Sequence, residues 1–324
     1  DEAEMADEIA KLKGSGVEAL TVSLINAYAN GEHEQRIRSI AEQVMPGIPV
    51  SISSEVIPEM YEYERAETTV VNSYIRPVVS TYIESLEAEL NSRMNGVQLH
   101  ILRSDGGLAS ADAAKEAPVN LLMSGPAGGV TGAIWIAKQA GYENLLTFDM
   151  GGTSTDVSHY AGELERTHET QVAGVRVRAP MIHIHTVAAG GGSILHFDGA
   201  RLRVGPDSAG ADPGPACYGN GGPLAITDAN VLLGRLRPEF FPQVFGPNGD
   251  QPLNVATVEQ QFDQLAAAVS EASGVEQSPE VVAEGFLSIA VENMANAIKK
   301  ISVQRGYDIT SYTLVCFGGA GGQH

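Results

Sequence analysis

The sequence is poor in basic residues and in cysteine. Its 324 residues include 20 Lys and Arg against 40 Asp and Glu, which gives a net charge of −20. Because a polyanion without a basic stripe repels phosphate backbones, no nucleic-acid partner is expected. Cys217 and Cys316 cannot build a disulfide framework, which indicates a reducing, cytoplasmic location. No purely apolar run approaches the ~18 residues of a membrane-spanning helix, so no membrane partner is expected either.

Glycine, by contrast, is abundant and clustered. The chain has 36 glycines among 324 residues, above the usual share of about 7%, and they gather where predicted strands end. Predicted strands and helices alternate, which favours an α/β architecture with helices packed on mixed sheets. Helices are predicted over residues 33–45, 67–94 (bent or broken near Pro77), 126–140, 255–272 and 279–305. Strands are predicted over residues 17–25, 49–53, 97–102, 144–149, 155–160, 172–178, 182–187 and 312–317, and residues 199–220 are predicted to form an ordered loop.

Both ends of the sequence interrupt an element. Residues 1–12 form a charged, helix-like stretch with no initiator Met and no signal peptide. The predicted strand 314–317 leads into a glycine-rich turn at 318–324, and such a turn normally leads into a helix. We therefore expect the chain to be an internal piece of a longer polypeptide.

Residues 144–158 carry the most specific pattern, an apolar strand followed by polar and glycine residues and a returning strand. Glycines let backbone N–H groups approach an anion without a Cβ in the way, and hydroxyls donate to phosphate oxygens. An acid cannot touch the phosphate, but it can hold hydrated Mg²⁺, which binds through one or two carboxylates plus phosphate, or it can orient a water. The alternative is a β-hairpin with a Gly-Gly turn, although a tight hairpin needs only two residues. The pattern consists of Asp149, Gly151, Gly152, Thr153, Ser154, Thr155 and Asp156.

The order of the glycine segments resembles a known ATPase fold. Residues 146–158 resemble the second phosphate loop of the actin, sugar-kinase and heat-shock-chaperone ATPases. Residues 122–133 lie where that fold has its connecting helix, and residues 314–323 lie where it has its adenosine motif.

The amino-acid sequences of six segments are more specific than the order of the glycine segments, and they resemble the A subunit of the hydantoinase/oxoprolinase family. That family includes N-methylhydantoinases, 5-oxoprolinases and the acetone and acetophenone carboxylases. The resemblance implies an α/β, ATPase-like fold, with residues 1–140 as the rear part of the first lobe and its connecting helix, and residues 141–324 as the second lobe. The six segments are SGPAGG at 124–129, FDMGGTSTD at 148–156, AGGGS at 189–193, GPDSAGADPGPACY at 205–218, TDAN at 227–230 and FGGAGGQH at 317–324.

The resemblance also implies a site that binds ATP and Mg²⁺. Asp149 and Asp156 are the candidate catalytic residues, for positioning a metal-bound water or acting as general base. Helix N-termini at Pro126 and after Gly322 would direct their dipoles towards the phosphates. The candidate cofactor-binding residues are Gly151, Gly152, Thr153, Ser154 and Thr155 at the phosphates, Gly190, Gly191, Gly192 and Ser193 in a second loop, and Gly318, Gly319, Gly321 and Gly322 under the adenosine.

By the same resemblance, the activity is ATP-dependent ring opening of a cyclic amide such as hydantoin or 5-oxoproline. Transfer of a phosphoryl group to the carbonyl oxygen would activate the amide towards water, and a hydantoinase B-type subunit or domain would complete the enzyme. Two alternatives stay open, a carboxylase of the acetone or acetophenone type and a non-catalytic nucleotide-binding module. Because the first phosphate hairpin of the family precedes this segment, the isolated chain is expected to be inactive and to bind nucleotide weakly.

Two further groups of residues have more than one interpretation. His183 and His185 would share one face of a strand. With Cys217, Asp228 or Asp212 they could ligate a metal, or they could be hydrogen-bonded structural groups. A Cys–His pairing could equally indicate a nucleophile. The TDAN segment predicts a helix cap at Thr227 or Asp228.

Overall fold

The computed structural model describes residues 1–94, 96–172 and 174–324. Its α-helices are α1 Glu2–Lys11, α2 Glu32–Val44, α3 Ser53–Val56, α4 Glu62–Arg93, α5 Ala111–Glu116, α6 Ser124–Gln139, α7 Ile226–Leu232, α8 Val255–Ser273 and α9 Pro279–Ile301. Its strands are β1 Leu20–Val22, β2 Val50–Ile52, β3 His100–Leu102, β4 Leu108–Ser110, β5 Asn144–Met150, β6 Thr155–Ala161, β7 Arg166–Thr167, β8 Thr170–Val172, β9 Val175–Val177, β10 Met181–Ile182, β11 His185–Val187, β12 Ser193–Phe197, β13 Leu202–Ser208 and β14 Thr313–Phe317.

The chain divides into two compact units, each assembled from two segments. One comprises Asp1–Thr131 and Glu165–His183, and the other comprises Gly132–Leu164 and Ile184–His324. The sequence predicted a single domain boundary at residue 140, whereas in the structure Glu165–His183 is also part of the first unit. The reason is packing, since β9 packs against α4 and the N–H of Ile182 in β10 donates to the carbonyl of Ser104 (2.8 Å). That the two units are lobes of an ATPase stays a prediction.

In the first unit, α4 is one helix that continues through Pro77, where a bend or a break was predicted. Proline in a helix interior costs about 3 kcal/mol, because it removes a hydrogen bond and crowds the preceding turn. Here the buried face of the helix is fastened on the N-terminal side of the proline. Asn72 Nδ2 donates to Ser51 Oγ (3.1 Å), and Arg76 Nη1 donates to the carbonyl of Val50 (2.8 Å). These contacts to β2 hold the helix in place despite the proline.

The second unit is built on a four-stranded mixed sheet with the order β11-β6-β5-β14. β5 and β6 form an antiparallel hairpin, and β14 runs parallel to β5 with Thr313 opposite Leu145 and Phe317 opposite Asp149. Strand β5 is apolar along most of its length, as expected for a strand that is covered on both faces. Its side chains pack with those of α9 in a cluster that contains Leu146, Phe148, Met150, Val157, Met294, Ala297 and Ile301.

Helix α9 contributes to two core clusters of the second unit. Ser278 caps it by accepting from the N–H of Val281 (3.4 Å), and Pro279 occupies the first turn, as predicted. The helix ends at Ile301, and a separate 3₁₀ turn, Val303–Arg305, follows it. In the part of the chain that the structure describes, this stretch is the one helix whose length and composition would allow a membrane crossing, a test that buried core helices also pass. Its buried residues include Val282, Phe286, Leu287, Ala290, Met294 and Ile301.

Three predicted segments have a different structure. Residues 199–220 are not loop throughout, because β13 pairs with β12 in a hairpin and Ala216–Tyr218 form a 3₁₀ turn. The predicted strand 172–178 is divided between β8 and β9, which pair with each other. The predicted strand 182–187 is divided between β10, which pairs with β7, and β11, which pairs with β6. A period-two pattern shows extended backbone but does not show where the pairing partner changes.

Candidate functional site

The strand order of the second unit brings two of the predicted glycine segments to one edge of the sheet. Because β5 and β14 are parallel, their carboxyl ends lie side by side, with Asp149 opposite Phe317. The turn after β5 and the turn after β14 therefore begin next to each other. Ligands in sheets of this type collect at the carboxyl ends of the strands.

The glycine-rich loop 189–193, here called the second loop, packs directly on the turn after β5. The N–H of Gly191 donates to the carbonyl of Gly151 (3.0 Å), and the N–H of Gly192 donates to that of Gly152 (2.6 Å). A Cβ added to Gly190 would lie only 2.6 Å from the carbonyl carbon of Gly152. Only glycine allows this approach of one backbone to the other.

The turn after β14, here called the C-terminal turn (residues 318–323), joins the same group. The N–H of Ala320 donates to the carbonyl of Met150 (2.9 Å). Gly318 has φ +87°, and a side chain there would collide with the carboxylate of Asp149. An added Cβ at Gly152, Gly319 or Gly322 would meet no atom within 4 Å, so the backbone beside these three glycines borders open space.

Asp149 and Asp156 lie opposite each other in the β5–β6 register, so their side chains leave the same face of the sheet. Thr186 on β11 is the next residue across the sheet, and its Oγ1 donates to Oδ1 of Asp156 (2.5 Å). Burial, and then the negative charge of Asp156, raise the pKa of the Asp149 carboxyl. The site thus holds two neighbouring carboxylates whose mutual repulsion a cation would relieve.

The hydroxyl groups of the loops have different surroundings. Thr155 is buried, and its Oγ1 donates to the carbonyl of Ala189 (2.6 Å), so its proton is used inside the protein, unlike the phosphate donor predicted from the sequence. Ser193 Oγ accepts from the N–H of Gly190 (2.9 Å), which closes the second loop. Thr153 is exposed and Ser154 is half-buried. Direct contact of these residues with a nucleotide stays a prediction.

Two family models match the chain. A family model described as hydantoinase/oxoprolinase matches residues 65–324, and a model of the N-terminal region of the same family matches residues 1–45. The chain belongs to the hydantoinase/oxoprolinase family. The family resemblance stated from the sequence motifs is therefore confirmed.

Relatives of this hydantoinase/oxoprolinase chain are much longer than the chain itself. The 5-oxoprolinase of Saccharomyces cerevisiae is 42% identical over 331 residues, which cover all of this chain and 25% of the relative. The caprolactamase subunit alpha of Pseudomonas jessenii is 36% identical over 327 residues, which cover all of this chain and 46% of that subunit. The chain thus spans about a quarter of the 5-oxoprolinase and about half of the caprolactamase subunit.

Two solved structures share the fold. The ATP-dependent caprolactamase from Pseudomonas jessenii superposes with a TM-score of 0.78 and 35% identity over 99% of this chain and 45% of its own. A nucleotide-free acetone carboxylase superposes with a TM-score of 0.78 and 27% identity over 100% of this chain and 45% of its own. Together with the mixed α/β sheet, these similarities confirm the predicted α/β, ATPase-like fold class.

Sequence reasoning missed the contacts that α7 of this hydantoinase/oxoprolinase chain makes with the second loop. The TDAN segment was noted as a helix cap, but the N-cap is Ala225. Thr227 instead binds the second loop, because both its N–H (2.8 Å) and its Oγ1 (2.9 Å) donate to the carbonyl of Gly191. Asp228 is fully buried and accepts the N–H groups of Ala216, Cys217 and Ala225 at 3.0, 2.8 and 2.7 Å. The repeated glycines were the only signal that another backbone lay close.

The structure does not assemble the alternative metal or nucleophile site. His183 and His185 do not share a strand, since His183 lies between β10 and β11. Among the residues that the structure describes, no group of three or more His, Cys, Asp or Glu could hold a metal ion. Cys217 is fully buried, and burial together with Asp228 strongly raises the pKa of its thiol. A thiol in that setting is not a nucleophile.

Proposed function

We propose that this chain is the nucleotide-binding part of an ATP-dependent enzyme that opens a cyclic amide such as hydantoin or 5-oxoproline. The observation that carries the proposal is the convergence of three glycine turns beside the paired carboxylates of Asp149 and Asp156. Two relatives named for such substrates, the yeast 5-oxoprolinase and the bacterial caprolactamase alpha subunit, match the whole chain. The chemistry, the metal and the partner are proposals, because the relatives are two to four times longer.

The residues present fit a nucleotide with Mg²⁺. The Cβ positions of Gly152, Gly319 and Gly322 border open space, so an anion can approach the backbone there without meeting a side chain. Magnesium usually takes only one or two carboxylates and completes its shell with water and phosphate oxygens, which suits the Asp149–Asp156 pair. Thr186 holds Asp156 in place, which leaves Asp149 as the candidate to position a water or accept its proton.

The proposed reaction uses ATP to make an inert carbonyl reactive. An amide resists attack by water because its nitrogen donates electrons into the carbonyl. Transfer of the γ-phosphoryl group of ATP to the carbonyl oxygen releases ADP and turns that oxygen into a leaving group. A first water then attacks the carbon, the ring C–N bond breaks with a proton passing to the nitrogen, and an acyl phosphate remains. A second water hydrolyses this acyl phosphate to the carboxylic acid and free phosphate. The protein contributes by positioning and by neutralising charge through backbone N–H groups and hydroxyls.

A partner subunit or domain is part of the proposal. The caprolactamase relative is named as a subunit alpha, which supports a second component of the hydantoinase B type. Because this chain spans only a quarter to a half of its relatives, we expect it to be inactive alone and to bind ATP weakly. Isothermal titration of the 324-residue chain with ATP tests this, and tight binding would contradict it.

The test of the proposed activity is phosphate release by the full-length enzyme with its partner. Stimulation by hydantoin or 5-oxoproline, with the opened acid detected by mass spectrometry, supports the proposal. A second candidate is a carboxylase, favoured by the similarity to acetone carboxylase. It predicts release that requires bicarbonate together with a ketone. Release under neither condition, with ATP still bound, would overturn both and indicate a non-catalytic nucleotide-binding module.

A further inference from the structure

A side-chain relay connects α7 to the C-terminal turn. Asn230 Nδ2 donates to Gln323 Oε1 (3.1 Å), and Gln323 Nε2 donates to the carbonyl of Gly319 (3.4 Å). The relay thus ends on the backbone of the turn that follows β14. Gly319 is one of the glycines that border open space.

The same short helix also holds the second loop. Thr227 lies three residues before Asn230, which places both on one side of α7. Thr227 binds the carbonyl of Gly191 through its N–H and its hydroxyl. One turn of α7 therefore holds two separate glycine segments, the second loop through Thr227 and the C-terminal turn through Asn230.

An asparagine at position 230 does not maximise the stability of the fold. Its side chain is fully buried, and its Oδ1 accepts no hydrogen bond from any residue that the structure describes. A buried acceptor without a donor is destabilising, and an apolar residue of the same size would remove that cost. The contact that the structure describes for this amide is the relay to Gln323.

We propose that Asn230 is a positioning residue for the nucleotide, acting through Gln323 to fix the C-terminal turn relative to the second loop. The inference rests on the proposed function, since it assumes that these two segments bind ATP. Asn230 does not touch the reacting atoms in this scheme. Its loss should weaken ATP binding and leave the cyclic amide and the chemical step unaffected.

The experiment compares isosteric variants in the full-length enzyme with its partner. Asn230→Leu removes the amide and its unsatisfied oxygen, and Gln323→Met breaks the same relay from a half-buried position. The matched control is Asn254→Ala, which removes the exposed N-cap of α8, a bond to the N–H of Thr257, without touching either glycine segment. For each protein, the ATP dissociation constant, the melting temperature without nucleotide, and kcat and KM for the cyclic amide are measured.

We expect Asn230→Leu and Gln323→Met each to raise the ATP dissociation constant about fivefold, the equivalent of one net hydrogen bond. The double variant should be no worse than either single variant, because both break one relay. Asn230→Leu should keep or raise the melting temperature, and kcat and KM for the amide at saturating ATP should not change. Asn254→Ala should lower the melting temperature at an unchanged ATP dissociation constant.

Three results would overturn the inference: unchanged ATP affinity in both relay variants, additive effects in the double variant, or a loss of affinity that Asn254→Ala reproduces. The outcome for the proposed function is separate. Wild-type enzyme that binds ATP but hydrolyses no cyclic amide refutes the proposed activity and still allows the relay to be measured. Wild-type enzyme that binds no ATP refutes both.

Discussion

Replacing Gly190 by alanine perturbs the contact between the second loop and the turn after β5. The new Cβ would lie 2.6 Å from the carbonyl carbon and oxygen of Gly152 and 2.8 Å from the carbonyl oxygen of Gly151. Carbon atoms pack without repulsion at about 3.5 Å or more, so the second loop must withdraw by about 1 Å. That movement breaks the hydrogen bonds from Gly191 (3.0 Å) and Gly192 (2.6 Å) to the turn.

The cost follows from two estimates that overlap. Overpacking a tight site costs about 1–3 kcal/mol, and each lost hydrogen bond costs about 1 kcal/mol. Because the loop escapes the clash by breaking those bonds, the two figures do not add, and we expect about 2–3 kcal/mol. For a unit of this size, that corresponds to a fall in melting temperature of about 4–12 °C. If half of this free energy is lost from the free energy of ATP binding, the ATP dissociation constant rises roughly tenfold.

The assay is thermal unfolding and ATP titration of the full-length Gly190→Ala enzyme. The matched control is Gly132→Ala in α6, where an added Cβ meets no atom within 4 Å. The control should gain about 0.5–1 kcal/mol, because alanine is the better helix former. If Gly190→Ala melts and binds ATP like wild type, the second loop does not pack on the turn as described.

Two further changes separate stability from activity. Asp149→Asn should lower kcat at least about 100-fold. Burial and the charge of Asp156 raise the pKa of the Asp149 carboxyl, so its ionisation destabilises the folded wild-type protein as pH rises. Asp149→Asn should therefore have a higher melting temperature than wild type at neutral pH. Below about pH 4, where the carboxyl is protonated, melting curves of the two proteins should not differ. Asp228→Ala should lower stability by more than about 3 kcal/mol in denaturant unfolding, because three N–H groups lose their acceptor; unchanged stability would contradict this.

Much of the site could be predicted from the sequence, because strand ends and glycine clusters are local features. The strand that ends at Asp149, the turn through Gly151 and Gly152, and the strand 312–317 with its glycine turn are all visible in short windows. Parallel strands bring their carboxyl ends together, so the meeting of these two turns follows once β5 and β14 are neighbours. The family was identified from the amino-acid sequences of the same segments.

The rest depended on pairing over long distances, which no local pattern encodes. The segment Glu165–His183 belongs to the first unit because of its contacts with α4, and nothing in its own sequence indicates that. The bond from Thr155 to Ala189 was not predicted, because a hydroxyl after a glycine pair suits a phosphate and a neighbouring carbonyl equally well. Thr186 and Asn230 were missed because their partners lie on other elements, 30 and 93 residues away.

The central claim is that the turn after β5 places its backbone against the phosphates of ATP, and Gly152→Ala tests it most directly. The glycine is exposed, its φ lies outside the left-handed region, and an added Cβ would meet no protein atom within 4 Å. The variant should therefore fold and melt like wild type, while its methyl group occupies the space proposed for phosphate. In isothermal titration of the full-length enzyme, we predict that Gly152→Ala weakens ATP binding at least roughly tenfold, an effect of about 1.4 kcal/mol or more. Wild-type ATP affinity in Gly152→Ala would contradict the account.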